Sequence, residues 1–152
     1  MSESILTPAG VASWAASRGV DCKSNPDFPS QLLLSNIKGS SIPVRVAFLS
    51  ERSMVWLQVE LSDVIPRERY AAIAVAITLL NATIYLGSWG FLTQTGKLIF
   101  KVTLPTQGAA YGSEALEAVL QMMLGTVQAT ARRLGAVAFK GADPGSVVPK
   151  AG

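Results

Sequence analysis

The stretch YAAIAVAITLLNATIYLGSWGFLTQTG, residues 70–96, carries no charged side chain, and its reading decides the fold. Up to Asn81 it follows a helical period, with Tyr70, Ile73, Ile77 and Leu80 on one stripe and Ala72, Val75, Ala76 and Leu79 on another. Only Thr78 and Asn81 interrupt the apolar surface. Such a helix wants burial on both sides, and a chain of 152 residues has little material to cover both. The expected outcome is self-association, with Tyr70, Ile73, Val75, Ile77, Leu79 and Leu80 as the dimer-interface candidates. Residues 70–92 also reach the roughly 20 residues that span a bilayer. Against a span stand Asn81, Gly87, Ser88 and Gly90, and a strand pattern after Ile84 that continues through Lys97 and Lys101.

Downstream, the pattern reads as a hairpin with strands Gly90–Gln94 and Lys97–Leu104 about a two-residue turn at Thr95 and Gly96. That turn sets Phe91 beside Phe100, Trp89 beside Val102 and Thr93 beside Leu98, with Leu92, Gln94, Lys97, Ile99 and Lys101 on the opposite face. Pro105 ends the strand and 108–112 is a loop. Ser113 then caps a third helix with the stripe Leu116, Val119, Leu120, Met123, Leu124, Val127 and Leu134, which Gly135 stops. Residues 141–152, rich in Gly, Pro and small side chains, read as a flexible tail after a single domain at 1–140.

Upstream, Pro66 opens the central helix. Two strands precede it, Ile42–Leu49 and Met54–Leu61, joined by the polar loop 50–53. Pairing Leu49 with Met54 places Ile42, Val44, Val46, Phe48, Val55, Leu57, Val59 and Leu61 on a core face. The other face receives Arg45, Ala47, Leu49, Met54, Trp56, Gln58 and Glu60. Thr7 with Pro8 starts the first helix and Gly19 stops it, so it runs Pro8–Arg18 with Val11, Trp14 and Ala15 inward. Residues 24–30 read as a loop, and 31–37 as a strand closed by a turn at Lys38 and Gly39. The expected fold is therefore α+β, a five-stranded antiparallel sheet with helices packed on one face, in the order α-β-β-β-α-β-β-α.

Composition narrows the function. Hydrophobic residues make up 49% and charged ones 15%, a poor supply of solvated surface for a monomer. The net charge of +3 is scattered. Adjacent basics occur only at Arg132 and Arg133, placed in the last turn of the third helix where they favour the dipole. Arg67 and Arg69, near a helix start, are weak candidates for an acidic partner. Histidine is absent, which removes the commonest general base and metal ligand. Glu114 and Glu117 sit in the first turn of the third helix, where the N-terminus explains them. Neither the glycines at 87, 90 and 96 nor those at 108 and 112 make a phosphate cradle. Cys22 is the only cysteine and lacks a base or resolving thiol, so it reads as inert in a reduced cytoplasm. Residues 1–6 lack a signal-peptide pattern. No enzyme activity, cofactor or metal site is expected, and no membrane association.

Leu80, Asn81 and Ala82 at the end of the central helix, Gly90 and Phe91, the run Thr95 to Phe100 and the helix from Ser113 resemble the YbjN-like proteins, a family similar in fold to the type III secretion chaperones. The resemblance implies a homodimer without known chemistry that binds another protein or peptide in a chaperone-like or regulatory role. The chain is basic where secretion chaperones are acidic. For partner contact the strand phase offers Arg45, Met54, Trp56, Gln58, Leu92, Ile99 and Lys101. The same aromatic and basic face is the alternative site for single-stranded nucleic acid. A pocket between helix and sheet among Trp14, Trp89 and Phe100 is the alternative for a small ligand.

Overall fold

The computed structural model describes residues 3–150; residues 1–2 and 151–152, the extremes of the expected domain and tail, lie outside them. Its elements run α1 (Pro8–Arg18), β1 (Asp21–Asn25), β2 (Phe28–Ser35), β3 (Val44–Leu49), β4 (Met54–Glu60), α2 (Tyr70–Asn81), β5 (Ser88–Leu92), β6 (Lys97–Pro105) and α3 (Ser113–Phe139). The described residues form an α+β fold with three α-helices and six strands, not five, in the hydrogen-bonded order β1-β2-β3-β4-β6-β5. The chain forms two compact units, residues 3–59 with 102–124 and residues 60–101 with 125–150.

In the first unit, local signals set α1. The Thr7 hydroxyl accepts the Gly10 N–H at 3.0 Å, Pro8 occupies the first turn, and Gly19 closes the helix at φ 69°. Val11, Trp14 and Ala15 are buried. The additional strand is β1, Asp21–Asn25, whose last two residues fall in the expected loop 24–30; it pairs antiparallel with β2 from Asp21↔Ser35 to Asn25↔Phe28, and β2 itself takes residues 28–30 from that loop. Asp-Cys-Lys-Ser-Asn has no apolar alternation, so its strand character comes from its partner, not from its own pattern. The β3–β4 register has Leu49 opposite Met54, and Val44, Val46, Val55, Leu57 and Val59 are buried as the phase requires. Ile42 and Leu61 fall just outside the strands.

In the second unit, a 3-10 turn at Arg67–Arg69 follows Pro66 and leads into α2, which buries Ile73, Ala76, Ile77 and Leu80. Each large side chain buried this way contributes about 1.5–3 kcal/mol. The helix stops where Asn81 turns its amide onto β5: Asn81 Oδ1 accepts the Trp89 N–H at 2.8 Å and its Nδ2 donates to the Trp89 carbonyl at 2.9 Å. The β5–β6 register sits two residues from the expected one, with Trp89 opposite Phe100, Phe91 opposite Leu98 and Leu92 opposite Lys97. The cause is the turn. It spans residues 93–96, with the Gly96 N–H donating to the Leu92 carbonyl at 2.7 Å, and a shift of two leaves every side chain on its expected face. Gly96 at φ 71° also lies so close to Val64 that a Cβ there would stand 2.9 Å from its Cγ1.

Two boundaries move. α3 passes through Gly135 and ends at Phe139, because Leu134, Val137 and Ala138 are buried and outweigh a helical glycine's penalty of about 1 kcal/mol. Arg132 and Arg133 are therefore not in its last turn; Arg133 Nη1 donates to the Val147 carbonyl at 3.3 Å. The expected tail is not free, since Pro144–Val147 forms a 3-10 turn against α2 with Val147 wholly buried. Arg69 fastens the approach to it, donating to the carbonyls of Val137 at 2.8 Å and Ala142 at 3.1 Å.

Candidate functional site

The central helix sorts its two stripes. Ile73, Ile77 and Leu80 face the interior of the second unit, and Tyr70 is half-buried, its ring edge-on to Phe91 at 4.5 Å between centroids. Val75 and Leu79 remain 51% and 39% exposed beside Ala71, Ala74 and Thr78. This face carries no charge, and a shallow depression of about 260 Å³ lies among Ala74, Val75, Thr78 and Leu79. The polar side chain among these residues is that of Thr78, whose hydroxyl donates to the Ala74 carbonyl at 2.9 Å.

The sheet-face candidates separate by unit. In the first, Arg45 pairs with Gln58, Ala47 with Trp56 and Leu49 with Met54, which puts Arg45, Met54, Trp56 and Gln58 on one face. Arg45 is exposed, whereas Met54, Trp56 and Gln58 are half-buried and Ala47 is covered. In the second, Leu92, Ile99 and Lys101 share a face of the β5–β6 hairpin, with Ile99 lying over Gly90.

The three aromatic residues expected around a ligand pocket take different roles. Trp89 and Phe100 are buried and pack edge to face at 5.3 Å. Trp14 instead lines a groove of about 380 Å³ with Arg18, Val20, Ile37, Leu120 and Glu117. Glu117 does more than favour a helix N-terminus, because its Oε1 accepts both the Arg18 Nε–H at 2.5 Å and the Trp14 indole N–H at 3.2 Å. The Arg18 hydrogen bond, followed by that of Trp14, holds this carboxyl below the usual glutamate range. Neither Trp14 nor Arg18 lies near it in sequence, so no local pattern announced the cluster.

Chemistry of other kinds finds few parts. Burial pushes the Cys22 thiol up, away from the thiolate form a nucleophile needs. Among the described residues no group of three or more Cys, Asp or Glu side chains could hold a metal ion, and no helix is long and apolar enough to cross a membrane.

The fold defines a class. The chain has the YbjN-like, type III secretion chaperone-like architecture. It is similar to YbjN from E. coli, described as a candidate transcription regulator, with a TM-score of 0.66 at 12% identity over 87% of this chain and 97% of that one. It is similar also to a chain of the ExsC–ExsE complex, with a TM-score of 0.53 at 20% identity, covering 81% of this chain and 89% of that chain. The HopA1–SchA chaperone–effector complex follows with a TM-score of 0.50 at 15% identity, 76% of this chain and 85% of the other being covered. No family model and no curated protein matches the sequence.

Proposed function

We propose that this protein is a non-enzymatic homodimer that binds another protein, in a chaperone-like or regulatory role. The observation that carries the reading is the outward face of α2, where Val75 and Leu79 stand exposed on a surface without charge. A second copy covering that face would remove apolar area from water and explain why a helix apolar on all sides persists in a soluble setting. The likeness to a chaperone–effector complex supports a protein partner over a small substrate. The absence of histidine and of clustered carboxylates fits a binding role rather than catalysis.

Light scattering after gel filtration tests the assembly, with twice the 16.0 kDa chain mass expected. Leu79→Asp should yield a folded monomer, since it places a charge on an exposed face. Ile77→Asp should unfold the chain, because Ile77 is buried within it. A wild-type monomer at micromolar concentration would overturn the dimeric reading.

A further inference from the structure

The two units differ in charge. The second holds eight Lys and Arg against four Asp and Glu, and the first five against six. Within the second unit a groove of about 430 Å³ lies between α3 and the connector that follows β4. Ile65 and Leu98 are buried at its base, Phe139 is 48% exposed, and Asp63 stands on the connector side. The α3 side presents Arg132, Ala136 and, one residue past the helix end, Lys140, whose N–H still donates to the Ala136 carbonyl at 3.0 Å, so the three follow at i, i+4 and i+8. Both cations are exposed, and among the described residues neither forms an ion pair. Their spacing is informative. Eight residues of helix advance about 12 Å, a length that an extended chain covers in about four residues at roughly 3.3 Å each.

We infer that this groove receives an extended acidic segment of the partner protein with the pattern acid–x–apolar–x–acid. In an extended chain the side chains at i, i+2 and i+4 line one face. Two carboxylates would then meet Arg132 and Lys140 while the apolar side chain between them settles over Ala136 toward Leu98 and Ile65. Ala136, with a single methyl group, and the neighbouring Gly135, with no side chain, suit this role because they leave the floor open. The apolar floor provides the burial, and the paired cations fix register and reject basic segments. This assignment rests on the protein-binding reading above and names the chemistry of its partner.

The test uses the full chain and a fluorescein-labelled synthetic peptide in which two Asp residues flank Ser-Leu-Ser, read by fluorescence polarisation. Binding should weaken as salt is raised, because exposed charges are screened over about 10 Å at 0.1 M. It should weaken by roughly tenfold or more in Arg132→Ala/Lys140→Ala, with the melting temperature unchanged. Trp56→Ala, on the sheet face, should leave it intact. Equal affinity for the Asn version of the peptide would overturn the proposal. So would loss of binding in Trp56→Ala but not in the double variant, or binding of an oligonucleotide or anionic vesicles in place of the peptide. A dimer that ignores the peptide refutes the groove alone. A monomer that binds it refutes only the assembly.

Discussion

Two points along α3 are each tied to a tryptophan, by opposite chemistry. Near its start, Glu117 accepts the Trp14 indole N–H and the Arg18 guanidinium at a site open to water, where the side chains of Arg18 and Glu117 are 50% and 37% exposed. Farther along, the buried Trp89 indole donates to the Thr130 hydroxyl at 2.8 Å, and that hydroxyl in turn donates to the Thr126 carbonyl at 2.6 Å. The first tie is charged, screened and titratable. The second is neutral and dry, so it ignores pH and salt but costs far more to break. One helix thus holds a contact that conditions can tune and another that they cannot.

The comparison can be broken most forcefully at Trp89. Trp89→Ala should destabilise the protein by about 3–5 kcal/mol in chemical denaturation, since it empties a buried site against Phe100; a loss near zero would deny that this tie is the rigid one. Thr130→Val keeps the shape and strands the indole N–H, so a loss of about 1–3 kcal/mol is expected, equal at pH 4 and pH 7. Between the two ties lies Gly125, where an added Cβ meets nothing within 4 Å. Gly125→Ala should therefore raise stability by about 0.5–1 kcal/mol, measured as a higher midpoint in urea.

The smallest effect is the one that depends on pH. The Glu117 carboxyl is held below its ordinary value, first by Arg18 and then by Trp14. Its contribution is complete above the unfolded value of about 4.3 and is lost as pH falls through the lowered folded value. Glu117→Gln should flatten this acid limb of the melting temperature, and Thr130→Val should leave it as steep as before.

What the sequence disclosed follows from where each signal lay. Thr7, Pro8 and Gly19 are local, so α1 could be read to the residue, and the short loop between β3 and β4 fixed their register. β1 escaped because an exposed polar strand has no alternation to display, and its pairing with β2 is a tertiary fact. The hairpin turn was misjudged in length because Thr95-Gly96 looks like a two-residue turn, while the chain closes four residues with Gly96 last. α3 outran Gly135 because burial beyond it decided the matter. At the candidate surfaces the sequence offered both stripes of α2 without separating them, since only packing distinguishes Ile77 from Leu79. The α3 groove was invisible, its lining being gathered from positions 61–65, 98 and 131–140.

The amide of Asn81 on Trp89 bears on how this chain can associate. Strand β5 ends the strand order, and an end strand ordinarily offers its outward N–H and C=O groups to any passing chain. Here the side-chain amide occupies both groups of the strand's second residue as a neighbouring peptide would. A strand from another molecule would have to evict it before pairing. Sheet-to-sheet growth into fibrils is thereby discouraged at β5, and contact between copies along that edge is left to side chains.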